Sequence, residues 1–199
     1  MGHRTDCFFL QNVRGFIDSI AHGNVPLAVK IMLQQAPILL AEDNQNDVYL
    51  MRRAFAEAAI PNQVLVVKNG REAVDYLAGK GDYAQRDKYP LPGLMLLDLK
   101  MPWMDGFDVL SWLRRRPEFH SLPVVVLTSS RLQCDIDQSR LMGAYDYRVK
   151  PTDLPELVAL LDNICKRWLG GKKHSGETPA APKRNARADP GEGSGTAVA

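Results

Sequence analysis

The sequence predicts a doubly wound α/β fold in which helices cover both faces of a five-stranded parallel sheet. Between residues 37 and 170, five short runs rich in strand-forming residues alternate with five segments of helical periodicity, which is the pattern of a parallel sheet with crossover helices. The central runs are apolar at every position, because a strand buried on both faces has no side that meets solvent.

The predicted strands are four or five residues long, and the first four consist mainly of apolar residues. They cover residues 38–41, 63–67, 94–97, 124–127 and 145–149. The predicted helices repeat apolar residues every three or four positions, as one buried face requires. They cover residues 47–59, 69–77, 105–115, 132–142 and 154–168. The last helix has the clearest boundaries, because Asp153 is a suitable N-cap and Gly170 follows its end.

The composition is that of an ordinary globular protein, with 45% apolar residues, 24% charged residues and a net charge of +2 in 199 residues. This charge is too small to indicate binding to nucleic acid or to a membrane surface. No apolar run approaches the roughly 20 residues of a membrane span. The three cysteines are widely spaced and match no metal or disulfide pattern. We therefore expect a cytoplasmic protein without membrane attachment.

The two flanks differ in composition from residues 37–170, which we expect to form the folded domain. Residues 1–36 are interpreted as an N-terminal extension, either with a short helix or as a non-native start ahead of translation from Met32. Residues 171–199 are rich in Pro, Ala, Gly, Lys and Arg and lack large apolar residues. We expect a disordered tail there, because such a segment cannot bury enough surface to offset its ordering entropy.

Four ionisable side chains follow the predicted strands. Glu42 and Asp43 come directly after the first strand, Asp98 after the third, and Lys150 after the fifth. Because the carboxyl ends of parallel strands share one edge of a sheet, we expect these side chains to meet there. Such a cluster can hold a divalent metal and present one carboxylate as a nucleophile, which favours phosphoryl chemistry.

Each of these groups has a predicted role. Asp98 is the candidate phosphoryl acceptor, because Pro102 and Gly106 predict an open turn beside it. Glu42 and Asp43 are candidate ligands of Mg²⁺, which would neutralise the incoming charge. Simpler interpretations exist for each group alone, since an acidic pair also stabilises the start of a helix and a single lysine is usually solvated.

Two further residues are candidates for roles near the acceptor. Thr128 ends the fourth apolar run, and its hydroxyl could hydrogen-bond a phosphoryl oxygen on Asp98 or, equally well, cap the next helix. Tyr147 stands three residues before Lys150 and could be buried or exposed according to the position of Thr128. An aromatic residue in a strand is otherwise an ordinary packing residue.

Together these residues resemble the response regulator receiver domain of two-component signalling. The resemblance covers about residues 37–168, and its most specific segment is the run L-L-D-L-K-M-P-x-M-D-G-F around the acceptor. The single residues that match, in the family's order and approximate spacing, are Glu42, Asp43, Asp98, Thr128, Lys150 and Pro151.

The resemblance implies a flavodoxin-like fold with strand order 2-1-3-4-5. It also implies that Mg²⁺ is held by Glu42 or Asp43, by Asp98 and by the backbone carbonyl of Lys100. A sensor histidine kinase would donate its phosphoryl group to Asp98. The residues that correspond to Thr128 and Tyr147 would then switch together and reshape the face of the fourth helix, fifth strand and fifth helix.

A finer resemblance is to single-domain receivers that are paired with phytochrome-type or other bacterial sensor kinases. It rests on the opening E-D-N-x-x-D, which begins at Glu42, and on the long segment 78–93 before the third strand. The chain departs from these receivers at Gln45, where they have Pro, and at Lys100, where many have Asn. The lysine suggests an altered rate of autodephosphorylation.

Other functions fit this sequence less well. A haloacid-dehalogenase-type phosphatase needs a second Asp where this chain has Lys100, and no nucleotide-binding glycine loop follows the first strand. A receiver-like module that binds proteins without phosphorylation is the alternative function. We expect no catalysis beyond self-catalysed phosphotransfer and dephosphorylation, no direct DNA binding, an unknown downstream protein partner, and a homodimer as a further option with Arg131, Arg140 and Arg148 as candidate contacts.

Overall fold

Five parallel strands form the centre of the structure, a computed structural model that describes residues 36–169. The strands are β1 (Ile38–Ala41), β2 (Val64–Val67), β3 (Leu94–Leu97), β4 (Val124–Thr128) and β5 (Asp146–Val149). They lie in the order β2-β1-β3-β4-β5, and all four pairings are parallel. The predicted fold class and strand order are therefore confirmed, whereas the interpretations of residues 1–35 and 170–199 fall outside the described residues.

Five α-helices alternate with the strands, as the periodicity predicts. They are α1 (Gln45–Glu57), α2 (Gly70–Ala78), α3 (Gly106–Arg114), α4 (Gln133–Leu141) and α5 (Leu154–Trp168). Four of the five begin with a polar side chain that accepts a hydrogen bond from the first turn; these caps are Asn44, Asn69, Asp105 and Asp153. Within residues 36–169, no helix has the length and apolar character to cross a bilayer.

Two apolar layers lie on opposite faces of the sheet. Successive residues of each strand point to opposite faces, so Leu40 packs against α1 and α5 whereas Leu39 packs against α2 and α3. The central strands β1 and β3 are completely buried, which explains their uniformly apolar sequence. The sheet is therefore a rigid base from which the loops at its carboxyl edge project.

Helix α4 is anchored far less firmly than the other four α-helices of residues 36–169. Ser139 is its only buried residue, and its hydroxyl donates a hydrogen bond to the Asp135 carbonyl within the same helix. Leu132 and Leu141, at either end, expose 58% and 64% of their surface. Because few apolar contacts hold α4, it can be displaced at a small cost in free energy.

Residues 79–93 form an ordered connection between α2 and β3. The Arg86 guanidinium donates hydrogen bonds of 2.8 and 2.6 Å to the carbonyls of Tyr76 and Leu77 at the end of α2. The rings of Tyr76, Tyr83 and Tyr89 lie 5.2 to 6.1 Å apart. This arginine and the three rings give the connection a small core of its own.

Replacing Gly106 by Ala should destabilise the protein by about 1–3 kcal/mol, because the added Cβ overpacks a tight backbone contact. That Cβ would lie 2.4 Å from the Asp98 carbonyl oxygen and 2.8 Å from the Leu99 Cα. Urea unfolding measures the effect. A Cβ on Gly81 meets nothing within 4 Å, so Gly81→Ala is the control. Its free energy of unfolding should fall only by the cost of placing an alanine at a positive φ. A Gly106→Ala variant that keeps the stability of the wild type would contradict the steric argument.

Candidate functional site

Two buried carboxylates meet at the carboxyl edge of the sheet. Glu42 follows β1 and Asp98 follows β3, and the last residues of these strands, Ala41 and Leu97, are paired. The Asp98 N–H donates to the Ala41 carbonyl at 3.0 Å, which fixes the start of the loop after β3 on β1. Glu42 is 1% and Asp98 6% exposed. Buried carboxylates require a compensating cation or hydrogen bonds.

Lys150 supplies that positive charge from the end of β5. Its backbone N–H donates to the Thr128 carbonyl at 2.8 Å, which fixes the chain beside β4. Its ammonium donates a short hydrogen bond to Glu42 and lies 3.5 Å from Asp98 Oδ1. The side chain is 13% exposed, so Lys150 is not the solvated surface lysine of the simpler interpretation.

The pKa values of Lys150 and Glu42 are both raised, but for different reasons. Burial would lower the pKa of Lys150, but the carboxylates of Asp98, Glu42 and Asp47 outweigh it and raise the pKa above the usual 10.5. Burial raises the pKa of Glu42 above 4.5, and Lys150 only partly opposes this. The Lys150 contacts therefore stabilise the fold below pH 10.5 and lose this effect as the pH rises through the raised pKa. Ionised Glu42, in contrast, costs folding free energy at neutral pH.

Asp43 and Lys100 complete the predicted metal-binding set. Asp43 is exposed, and oxygen atoms of Glu42, Asp43 and Asp98 lie within 4.8 Å of one another. Three carboxylate oxygens in an edge that is open on one side are the donors that Mg²⁺ prefers, so the residues present fit such an ion. The Lys100 N–H donates to Asp98 Oδ2 at 3.1 Å, and its side chain is exposed.

Thr128 and Tyr147 are linked by hydrogen bonds to the backbone of Ser130. Thr128 is fully buried, and its Oγ1 accepts a long hydrogen bond of 3.4 Å from the Ser130 N–H. The Tyr147 hydroxyl donates to the Ser130 carbonyl at 3.1 Å. The N-cap of α4 is Leu132, which provides no side-chain cap, so Thr128 does not cap this helix. Burial raises the pKa of Tyr147.

Sequence reasoning missed Asp47 as part of this site. Its Oδ2 lies 3.0 Å from the Lys150 ammonium and accepts a hydrogen bond from it. Its position in the first turn of α1 could have predicted this contact, because α1 begins three residues after Glu42. Ser130 was also missed, because serine after a strand is common in loops.

Trp103 occupies a strained position in the loop between β3 and α3. Its φ is +65°, and the Met104 N–H donates to the Pro102 carbonyl at 2.8 Å across it. This is a γ-turn with a positive central φ, which is rare and strained. The indole is 90% exposed, so it recovers none of that strain through packing.

The face formed by α4, β5 and α5 carries the arginines that were considered for dimer contacts. Arg131 and Arg140 are exposed, whereas Arg148 pairs with Asp146 at 2.9 Å on the same strand. Tyr145 and Trp168 pack edge-to-face on this side, with ring centroids 5.3 Å apart. The dimer stays a prediction.

Comparison with known proteins gives one consistent result. Residues 38–162, more than half of the chain, match the family model of the response regulator receiver domain. Response regulator Rcp1 of Synechocystis sp. is 32% identical over 132 residues, which are 66% of this chain and 88% of Rcp1. The crystal structure of the phosphorylated cyanobacterial phytochrome response regulator RcpA has a TM-score of 0.64 at 34% identity, and the match covers 70% of this chain and 97% of RcpA. The Mn²⁺-bound form of Rcp1 has a TM-score of 0.62 at 30% identity, with 71% and 99% covered.

Replacing Trp103 by Asn should stabilise the protein by up to about 1 kcal/mol, because Asn tolerates a left-handed backbone better than Trp does. The exposed indole has little packing to lose. Trp112 provides the contrast, since it stacks on Phe119 at 5.4 Å and carries the Arg116 guanidinium at 3.9 Å from its ring; Trp112→Asn should destabilise. Thermal unfolding measures both variants. A lower melting temperature for Trp103→Asn would show that the indole makes stabilising contacts.

Proposed function

The chain belongs to the response regulator receiver family, and we propose on this premise that it is a phosphorylation-controlled switch in which Asp98 accepts a phosphoryl group from a sensor histidine kinase. One observation carries the proposal: Lys150, Glu42 and Asp98 are buried together at one edge and linked by ion pairs. Ionised Glu42 costs folding free energy there, and such a cost is characteristic of a functional site.

The proposed reaction is a direct transfer to Asp98. A carboxylate oxygen of Asp98 attacks the phosphorus of the kinase phosphohistidine; an O–P bond forms as the P–N bond breaks, and the imidazole leaves with that electron pair and takes up a proton. The product is an acyl phosphate on Asp98. The Lys150 ammonium, 3.5 Å from Asp98, would attract the anionic phosphoryl oxygens.

We assign Mg²⁺ to Glu42, Asp43, Asp98 and the backbone carbonyl of Lys100. The clustered oxygens of the three carboxylates support this assignment, as does the similarity to Rcp1, of which a Mn²⁺-bound structure exists. Bound Mg²⁺ would neutralise negative charge on the phosphoryl group.

Phosphorylation would act on the rest of the chain through Thr128 and Tyr147. The Thr128 hydroxyl makes only a long hydrogen bond to Ser130, so it is available to a phosphoryl oxygen. A shift of Thr128 would move Ser130 and thereby Tyr147, whose hydroxyl donates to the Ser130 carbonyl. Since α4 is weakly anchored, a modest difference in binding free energy would change its population of conformations.

The proposed partners follow from the family and the relatives. RcpA is a phytochrome response regulator, and a phytochrome-type histidine kinase is therefore the proposed donor. The reshaped face of α4, β5 and α5 would bind a downstream protein or a second copy of this chain. Output would pass through protein contacts in the cytoplasm and not through direct DNA binding.

Replacing Asp98 by Asn should abolish labelling by acetyl [³²P]phosphate or by a phosphorylated sensor kinase, because the amide cannot form a stable acyl phosphate. Acid-resistant and alkali-labile label on wild type identifies the acceptor class. Asp162→Asn on α5 is the matched control and should label normally. Persistent labelling of Asp98→Asn would place the acceptor elsewhere, and an unlabelled wild type would favour the phosphorylation-independent interaction module.

Replacing Asp43 by Asn should weaken Mg²⁺ binding by at least about tenfold, since one charged ligand is lost. Stability without metal should change by less than about 0.5 kcal/mol because Asp43 is exposed. Tryptophan fluorescence during a Mg²⁺ titration measures the affinity. Asp82→Asn, at an exposed position in the 79–93 connection, is the control. Unchanged affinity for Asp43→Asn would remove this residue from the ligand set.

A further inference from the structure

The Lys150 ammonium distributes its hydrogen bonds unequally among three carboxylates. An ammonium has three donors, and Glu42 and Asp47 receive hydrogen bonds from it, the latter at 3.0 Å. Asp98 lies at 3.5 Å, which is within ion-pair range but long for a hydrogen bond. In this state the lysine directs its hydrogen bonds to Glu42 and Asp47, and its contact with the proposed acceptor is an ion pair without a hydrogen bond.

The two stronger partners differ in exposure. Glu42 is 1% exposed, so loss of its cation would leave a buried charge without compensation. The Asp47 side chain is 37% exposed, and water can replace the lysine there at little cost. Asp47 is therefore the partner that the ammonium can release most easily.

We propose that Asp47 is a positioning residue for phosphotransfer: it holds the Lys150 ammonium back from Asp98 in the resting state and releases it to the phosphoryl group. This inference rests on the function proposed above for Asp98. In the phosphorylated state, the dianionic phosphoryl group on Asp98 competes with Asp47 for the same donor. Asp47 thus lowers the affinity of the site for the phosphoryl group and keeps the oxygens of unmodified Asp98 accessible.

A simpler role for Asp47 would be purely structural. An acidic residue in the first turn of a helix interacts favourably with the helix dipole, and Asp47 lies in the first turn of α1. That role stabilises α1 but predicts no effect on Lys150 and none on ligands of Asp98. Substitutions that change charge without changing shape separate the two roles.

The test is Asp47→Asn in the full chain, with Glu57→Gln as the matched control. Glu57 ends the same helix, ten residues and about 15 Å further along its axis, and its carboxylate pairs with Arg53. Beryllofluoride, which mimics the phosphoryl group, and Mg²⁺ are titrated separately against tryptophan fluorescence, with beryllofluoride added at saturating Mg²⁺. Side-chain ¹⁵N NMR of the Lys150 ammonium is recorded without metal.

We expect opposite changes in the two affinities of Asp47→Asn. Beryllofluoride should bind about three- to tenfold more tightly because Lys150 is free to contact it, and Mg²⁺ should bind more weakly by a similar factor because one negative charge is lost. The Lys150 ammonium resonance should shift in Asp47→Asn and stay unchanged in Glu57→Gln.

Two results would overturn the inference: unchanged affinities, or a loss of affinity for both ligands, which a structural defect in α1 would produce. A wild-type chain that does not bind beryllofluoride would instead refute the proposed function. In that case the Lys150 resonance still decides whether Asp47 holds the lysine.

Discussion

The buried ammonium of Lys150 is the interaction on which the acidic edge of this protein depends. Glu42 and Asp98 are removed from water at adjacent strand ends, and two such carboxylates would repel each other without a nearby cation. Lys150 follows β5, which β4 separates from β3. Its ammonium pairs with both Glu42 and Asp98. The edge is thus held together by a residue more than 100 positions away from Glu42 in the sequence, and its geometry depends on all five strands being in register.

Much of this arrangement could be predicted from the sequence. Uniformly apolar runs indicate strands that are buried on both faces, and Glu42 and Asp98 each follow such a run directly. Lys150 follows the predicted edge strand 145–149. Because the carboxyl ends of parallel strands share one edge of the sheet, these residues can be placed together even when the conformation of the loops is unknown. The long apolar stripe and capping residues of α5 were equally informative, because the stripe packs on the sheet over its whole length.

Other features depend on tertiary contacts that leave little trace in the sequence. Asp47 approaches Lys150 because α1 is rotated by the packing of Met51 and Phe55 against the sheet and α5, and a helical pattern does not specify that rotation. The positive φ of Trp103 could not be predicted either, because residue 103 is neither glycine nor asparagine, the residues that most often adopt a positive φ.

The small core of the 79–93 connection has a consequence for how the domain tolerates change in its chain. Burial raises the pKa of Tyr76 to about 12, and its hydroxyl donates a 2.6 Å hydrogen bond to the Pro90 carbonyl. Arg86 meanwhile donates hydrogen bonds to two carbonyls at the end of α2. An insertion or deletion here would disturb the packed end of a helix as well as a surface segment. The connection therefore behaves as part of the folded scaffold, and variation in its length should be constrained as strictly as that of a helix.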